Sequence, residues 1–436
     1  MTESRLAERI RNGSAHLTVI GQGYVGLPLA VEFARAGFST TGLDTDLDRV
    51  TALNAGRSYT PDVDSGVLRA VIEAGSYEAT ADAAVLERSD VIIICVPTPL
   101  RKSKDPDISF VVAAAENVAA HFRPGQLVIL ESTTYPGTTE ELLLPMFQAR
   151  GARVGVDFFL AFSPERIDPA NGKFGIAEIP KVVGGVTPAC SRMAALLYGR
   201  IIQRVLEVSS PKVAELAKLY ENTFRNVNIA LANEFSLMGR RLGVNIREVI
   251  EAAATKPFGF MPFYPGPGIG GHCIGIDPFY LAWKMRLNGY EFRFIHLADE
   301  INRAMPGYVV ELVTEALNER RRCLNGAAIL VLGVAYKRGV SDIRESPALE
   351  IIATLREKGA QVCYADPHVP SVDIEGIVLK AVEVTDQRLA AADCVVILTD
   401  HAEFDYRQIV DAARLVVDTR SATWRLGAPA DRVVTL

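Results

Sequence analysis

Short apolar runs alternate with amphipathic stretches through the first part of the chain. Residues 17–20 are apolar and end in Gly21-Gln22-Gly23-Tyr24-Val25-Gly26. A helical periodicity follows through Ala36, with Gly37 placed to end it. A second strand is predicted over residues 39–43, finishing at Asp44. Residues 91–96 and 127–130 are β-branched, apolar and bounded by turn residues, the pattern of parallel strands buried on both faces. Repeated β-α alternation of this kind predicts a doubly wound α/β sheet.

The pattern changes after Pro211. Residues 213–242 form a long amphipathic helical run, with no Gly or Pro before Gly239. Residues 256–277 hold four prolines and six glycines, too many for a regular element. After Asn325 the alternation returns, with strand candidates at 328–332, 361–364, 394–398 and 415–417. The expected fold is therefore α/β, with two Rossmann-like doubly wound domains joined by a long central helix. The expected divisions are residues 1–205, 206–305 and 306–436. The apolar faces of the central helix are also suited to a subunit interface, and a homodimer is expected.

Composition narrows the function. A chain of 436 residues with 49% hydrophobic and 22% charged positions is a well-packed, multidomain protein. A net charge of −6 argues against nucleic-acid or anionic-membrane partners held by bulk electrostatics. Residues 1–12 lack an apolar core, and no uncharged apolar run is long enough to span a bilayer, so a cytoplasmic location is expected. The cysteines at 95, 190, 273, 323, 363 and 394 have neither disulfide-framework nor zinc-ligand spacing, and the six histidines are dispersed; no metal is expected. Cys95, Cys363 and Cys394 sit in strand-like runs as buried thiols.

Candidate chemistry concentrates at a few places. Gly21, Gly23 and Gly26 form a G-x-G-x-x-G between a strand and a helix, where glycines let backbone approach a pyrophosphate at the helix N-terminus. Asp44 ends the next strand, where a carboxylate accepts from ribose hydroxyls and repels a 2′-phosphate, favouring NAD over NADP. Arg49 is placed to lie along the adenosine, while Asp46 and Asp48 read as capping or solvated residues. Thr98 and Thr133 follow buried strands, either as ordinary turn residues or facing the nicotinamide end of the cofactor or the substrate. Cys273 stands in a glycine-rich loop; convergent amides there stabilise a thiolate and hold an oxyanion, whereas the bland reading is a packed Cys in a turn. Such a thiolate adds to an aldehyde, and hydride loss then leaves a thioester for hydrolysis, with Asp277 as a base for water. Lys218 and Asn222 share a helix face and could meet an alkoxide; otherwise they belong to a solvated surface. Glu165 serves a water or a substrate hydroxyl, or else pairs with Arg166 at the surface. Lys337, Asp342 and Arg344 follow the first strand of the last domain, where the two cations suit a diphosphate or carboxylate; the alternative is a solvated charge cluster.

These residues carry a resemblance to the UDP-glucose/GDP-mannose dehydrogenase family over nearly the full length. It rests on the glycine fingerprint and on residues 96–99, 132–137, 162–166, 217–224, 270–278 and 333–346. The resemblance implies an NAD domain, a central dimerisation segment with the nucleophile loop, and a C-terminal UDP-binding domain. It implies Cys273 as nucleophile, with Lys218, Asn222, Asp277, Glu165 and Thr133 as catalytic partners. Cofactor contacts are implied at Gly21, Gly23, Tyr24, Val25, Gly26, Asp44, Arg49, Thr98 and Thr133. Substrate contacts are implied at Glu165, Arg166, Lys218, Asn222, Gly270, Lys337 and Arg344.

Residues 131–139 and 258–283 look most like the subgroup acting on UDP-N-acetylhexosamines, especially UDP-N-acetylglucosamine. His272, Gly275, Ile276 and Pro278 depart from the loop usual in UDP-glucose enzymes. The expected reaction is a four-electron oxidation of a UDP-sugar C6 hydroxymethyl to a carboxylate. UDP-glucose, UDP-N-acetylgalactosamine and UDP-N-acetylmannosamine are alternative substrates. A two-electron hydroxyacid dehydrogenase and a non-catalytic nucleotide-binding module are the competing classes.

Overall fold

A computed structural model describes residues 2–60, 62–101, 103–166, 175–271, 273–427 and 432–436. Two compact units appear: Met1–Glu221 with Phe279–Tyr290, and Asn222–Pro278 with Glu291–Leu436.

The first unit is built on eight strands: β1 (His16–Ile20), β2 (Ser39–Leu43), β3 (Tyr77–Thr80), β4 (Val91–Ile94), β5 (Leu127–Leu130), β6 (Phe159–Phe162), β7 (Lys181–Gly185) and β8 (Val205–Val208). Their order is β3-β2-β1-β4-β5-β6-β7-β8. The strand order reverses at the β1/β4 junction, which opens a crevice at the strands' carboxyl ends. Every residue of β4, β5 and β6 is buried, because helices cover both faces. Leu17, Val19, Ile93, Ile129 and Phe159 enter one core layer, packed with the helices Gly26–Arg35 and Pro188–Tyr198. Ile20, Ile92, Ile94, Val128 and Leu160 enter the other, with the helix Ser109–Ala120.

Two details differ from the sequence expectation. The strand expected over 91–96 stops at Ile94: the Cys95 amide still donates to Ile20, but Pro97 has no amide to continue the ladder. The sheet is also not wholly parallel. β7 pairs antiparallel with β6, in the register Ala161↔Gly185 and Phe162↔Gly184.

The second unit carries a parallel sheet of five strands in the order β10-β9-β13-β14-β15. These are β9 (Ala328–Leu332), β10 (Gln361–Ala365), β13 (Cys394–Ile397), β14 (Val416–Asp418) and β15 (Val433–Thr435); β11 (Ser371–Ile374) and β12 (Ile377–Lys380) form a separate hairpin. Here too the side chains alternate between layers. Ile329, Val331 and Val396 face the helices Arg293–Glu319 and Pro347–Glu357, while Leu330, Leu332 and Val395 face the opposite layer.

The long helix Pro211–Leu242 begins in the first unit and ends in the second. Among the described residues, no helix is long and apolar enough to cross a membrane. Within the second unit, buried Asn233 ties this helix to its surroundings. Its amide donates to Asn302 Oδ1 at 2.9 Å, and its Oδ1 accepts the Gly266 amide at 2.9 Å. Asn302 in turn donates to the Asn226 carbonyl. One carboxamide thus holds the start of the glycine-rich loop against two helices. Asn233→Ala strands the Gly266 amide and one Asn302 acceptor, and is expected to cost about 2–4 kcal/mol. Chemical denaturation checks this, as a lowered urea midpoint of the transition reporting on the second unit.

Candidate active site

The turn after β1 is shaped by close backbone approach. A Cβ at Gly26 would lie 1.8 Å from the Gly21 carbonyl oxygen, so no side chain fits at the start of the helix. A Cβ at Gly23 would meet nothing within 4 Å, which leaves that stretch of backbone open to a ligand. Tyr24 is exposed and Val25 half-buried beside it. Asp44 is buried at the end of β2, accepting the Gln22 amide on Oδ2 at 2.8 Å and the Asp46 amide on Oδ1 at 2.9 Å. A carboxylate has about four acceptor sites, so capacity remains for ribose hydroxyls. Asp46 caps the helix Leu47–Asn54, as the sequence suggested. Arg49 lies 3.7 Å from Asp44 and 5.7 Å from the Tyr59 ring centre. Burial and the Asp44 charge push the Tyr59 hydroxyl up to about 12, and it donates to the Gln22 carbonyl. An open glycine, a helix N-terminus and a carboxylate with spare acceptors together fit a dinucleotide.

Beyond β4 and β5 lie Thr98, which is buried, and Thr133, which is half-buried. The turn after Thr133 is held by Glu215, whose buried carboxylate accepts from the Gly137 and Thr139 amides and the Thr139 hydroxyl. Burial raises the Glu215 carboxyl above its ordinary range, against the pull of those hydrogen bonds.

Glu165 sits in a charged network that the sequence reading missed. Lys181, the first residue of β7, pairs with Glu131 and lies 3.5 Å from Glu165 Oε2. The Tyr198 hydroxyl donates to the other Glu131 oxygen at 2.6 Å. The expected alternative, a surface pair of Glu165 with Arg166, is corrected here. The Arg166 guanidinium instead forks onto Glu221 at 2.7 and 3.2 Å, and it is the Arg166 backbone amide that donates to Glu165. The signal available in the sequence was the single Lys181 opening an apolar strand beside a Pro.

In the second unit, the glycine-rich Cys273 loop is tied to the helix Pro211–Leu242 by side chains of that helix. Asn222 donates to Asp277 Oδ2, and Asn226 donates to the Ile274 carbonyl at 3.0 Å. Asp277 opens the helix Asp277–Leu287, and its amide closes a turn onto the Cys273 carbonyl at 2.9 Å. Cys273 itself is exposed. Gly271 has φ +82°, and a Cβ there would strike the Tyr336 ring at about 2.8 Å. Its amide donates to the Arg344 carbonyl, and a Cβ on Gly270 would meet Tyr336 and the Glu345 carbonyl. The loop is therefore seated on the turn that follows β9. His272 lies outside the described residues. Lys218 and Asn222 are both buried, at 8% and 5% exposure, so the solvated-surface alternative does not describe them.

The two cations expected at a diphosphate, Lys337 and Arg344, follow β9. Arg344 is 49% exposed and forks onto its neighbour Asp342 at 2.7–3.0 Å. Lys337 is half-buried, 5.8 Å from the Tyr336 ring centre. The sequence reading missed Arg420, after β14, which donates to the Leu398 carbonyl at 2.9 Å. Burial lowers its pKa, and its Nη1 would lie 2.8 Å from a Cβ on Gly266.

Asp366, at the end of β10, occupies the place that Asp44 has after β2. It is saturated, accepting from the Val334, Ala335, His368 and Val369 amides and lying 3.1 Å from His401 Nε2. Burial alone would raise its carboxyl; the His401 and amide hydrogen bonds outweigh that and hold it low. His368, His401 and Glu403 cluster closely, yet both His401 nitrogens are engaged, Nδ1 with the Gly339 amide and Nε2 with Asp366. Neither is left to ligate a cation, so this cluster supports the turn after β9.

The three domain models of the UDP-glucose/GDP-mannose dehydrogenase family match in order: the NAD binding domain over residues 15–202, the central domain over 212–304 and the UDP binding domain over 330–425. The chain is 39% identical over 359 residues to the UDP-N-acetyl-D-glucosamine 6-dehydrogenase of Pseudomonas aeruginosa, covering 82% of this chain and 84% of that protein. It is 38% identical over 390 residues to the UDP-N-acetyl-D-mannosamine dehydrogenase of Pyrococcus horikoshii, covering 89% and 90%. A solved UDP-D-ManNAc dehydrogenase structure from Pyrococcus horikoshii superposes with a TM-score of 0.84 at 35% identity, covering 93% of this chain and 96% of that one. With a dinucleotide turn, a glycine-rich cysteine loop and a second α/β sheet in the family's order, this chain belongs to the UDP-glucose/GDP-mannose dehydrogenase family and is an NAD-dependent nucleotide-sugar dehydrogenase.

Proposed function

We propose that the enzyme oxidises the C6 hydroxymethyl of UDP-N-acetylglucosamine to a carboxylate, giving UDP-N-acetylglucosaminuronate. The observation that carries this reading is the Asn222–Asp277 hydrogen bond, which joins a carboxamide, an acid and the Cys273 turn in one assembly. A two-electron hydroxyacid dehydrogenase needs no such cysteine. Relatives that act on N-acetylated UDP-sugars support the sugar assignment.

NAD+ supplies the hydride acceptor, twice per sugar, held by Gly21, Gly23, Tyr24, Val25, Gly26, Asp44 and Arg49 with Thr98 and Thr133. The remaining work belongs to side chains. Lys218 and Asn222 donate to the developing C6 oxyanion, a role suited to two buried donors one helical turn apart. The Cys273 thiolate adds to the C6 aldehyde, and loss of hydride from that adduct leaves a thioester. Asp277, Glu165 and Thr133 order the water that hydrolyses it. Lys337 and Arg344 meet the UDP diphosphate, with Arg166 and Gly270 as further substrate contacts. Arg344 must exchange its Asp342 partner for the ligand.

In this reading residues 1–205 bind NAD, 206–305 carry the nucleophile loop and the dimer contact, and 306–436 bind the UDP moiety. Phe224, Leu231, Phe235, Met238 and Leu242 are exposed at helical spacing and supply an apolar seam for a homodimer. The reaction is placed in the cytoplasm, where NAD+ and UDP-sugars are available.

Three measurements check these assignments. On a panel of UDP-sugars, UDP-N-acetylglucosamine should turn over best, with two NADH per sugar; preferred use of UDP-glucose or a 1:1 ratio overturns the assignment. Cys273→Ser should lose about 10³-fold or more in acid formation, while Lys218→Ala should accumulate a covalent adduct visible by intact mass; acid formation by Cys273→Ser at the parent rate refutes the covalent route. Sedimentation should give a dimer for the parent protein and a monomer for Phe235→Glu with Leu242→Lys.

A further inference from the structure

Lys181 is a buried cation for which the reaction above has no use, and its neighbours are unusual. β5 and β6 run parallel with Leu130 beside Phe162, so Glu131 and residues 163–165 leave the sheet at the same end. β7 runs back antiparallel in a register that pairs Phe162 with Gly184, and continuing that register sets Lys181 opposite Glu165. The single reversal in this sheet therefore delivers an ammonium to the ends of two strands that each release a carboxylate. The result is two carboxylates around one cation: Glu131 in direct contact and Glu165 at 3.5 Å.

The charges do not balance if every group is ionised. Burial alone would pull the Lys181 pKa down, but Glu131 and Glu165 together raise it, so the ammonium persists. Burial pushes the Glu131 carboxyl up to about 7, opposed by Lys181 and assisted by Glu165. Near neutral pH the trio thus sits close to exchanging one proton. Other groups facing it from the described elements are the Tyr198 hydroxyl from the helix Pro188–Tyr198, the Cys95 thiol after β4, and the Ser163 hydroxyl after β6. Burial raises both the Tyr198 hydroxyl and the Cys95 thiol, which keeps them neutral. Arg166 faces Glu165 with its amide while its guanidinium is engaged by Glu221 on the helix Pro211–Leu242. Lys181 thus brings its ammonium within 4 Å of the Glu165 carboxylate.

We propose that Lys181 is a positioning residue for Glu165: shared between Glu131 and Glu165, its ammonium aims the Glu165 carboxylate and keeps it ionised to accept the proton of the hydrolytic water. The inference rests on the assignment of Glu165 to thioester hydrolysis. In that step the water oxygen bonds to the thioester carbon, the C–S bond breaks, the Cys273 thiolate departs, and the water's proton passes to Glu165. Glu131 sets how much of the ammonium reaches Glu165. Protonating Glu131 releases Lys181 towards Glu165; ionising Glu131 draws it away.

Two substitutions are expected to act in opposite directions. Lys181→Met removes the ammonium from between two facing carboxylates, so Glu165 is expected to hold its proton more tightly. The acid limb of thioester decay should then move to higher pH by about one unit or more, slowing decay about tenfold on that limb. Glu131→Gln removes the competing charge and leaves the ammonium to Glu165, so the limb should move to lower pH. The measurement is pre-steady-state decay of the thioester in the full-length enzyme with NAD+ and UDP-N-acetylglucosamine, quenched and followed by intact mass across pH. A purely structural role for Lys181 would lower stability without moving the limb. Should Lys181→Met fail to fold, Glu131→Gln decides alone. An unshifted limb in Glu131→Gln, or shifts of one sign in both variants, overturns the proposal. Glu165→Gln separates the two levels: if it fails to slow thioester decay, the role of Glu165 itself is wrong. If it slows decay while the Lys181 and Glu131 variants keep the parent profile, only the positioning role falls.

Discussion

A carboxylate carried out of water at the end of a buried strand costs several kcal/mol unless donors wait to receive it. This enzyme meets that constraint repeatedly. Asp44 follows β2, Glu131 follows β5, Asp366 follows β10, and Asp418 ends β14 with the Arg420 and Thr423 amides and the Thr423 hydroxyl around it. Each acid draws neighbouring groups onto the end of its own strand. Asp44, Asp366 and Asp418 take backbone amides from the turns that follow or adjoin their strands, and so hold those turns in place.

What each acid has left over decides what its site can do. Asp44 spends one oxygen on each of two amides and retains acceptor capacity, beside an open Gly23 and a helix N-terminus. Asp366 holds the corresponding place in the second sheet but is filled by four amides and His401. The two acids thus hold equivalent places at strand ends and differ in hydrogen-bond occupancy. The first fits a dinucleotide ribose. The second has closed that option, and its turn after β9 instead seats the Cys273 loop through Gly270 and Gly271.

Glu131 is the exception, because its donor is a charged side chain rather than amides. A lysine can be shared, and sharing makes the ionisation of one acid depend on the other. The helix Pro211–Leu242 illustrates a related economy. Along it, Glu215 secures the turn after Thr133, Asn222 holds Asp277, and Asn233 anchors Gly266.

Much of this was legible along the chain. The buried strands, the long helix and the glycine-rich loop announce themselves because apolar periodicity, Gly and Pro act locally; so do Gly21, Gly26 and Asp44, whose spacing is set by one strand-turn-helix unit. The Lys181–Glu131 pair was not legible, since it depends on β7 running antiparallel, a choice that no local pattern encodes. Arg420 escaped for a similar reason: its importance comes from the carboxyl end of β14 lying near Tyr336 and Gly266, far away in sequence. Partner choice also misled the reading of Arg166, because adjacency suggested Glu165 while the helix supplied Glu221 in better bidentate geometry. The sequence alone determined which segments are strand, helix and loop, because those preferences are short-ranged. Only the tertiary structure decided which charges meet, because burying a charge is affordable only where the whole fold brings its partner.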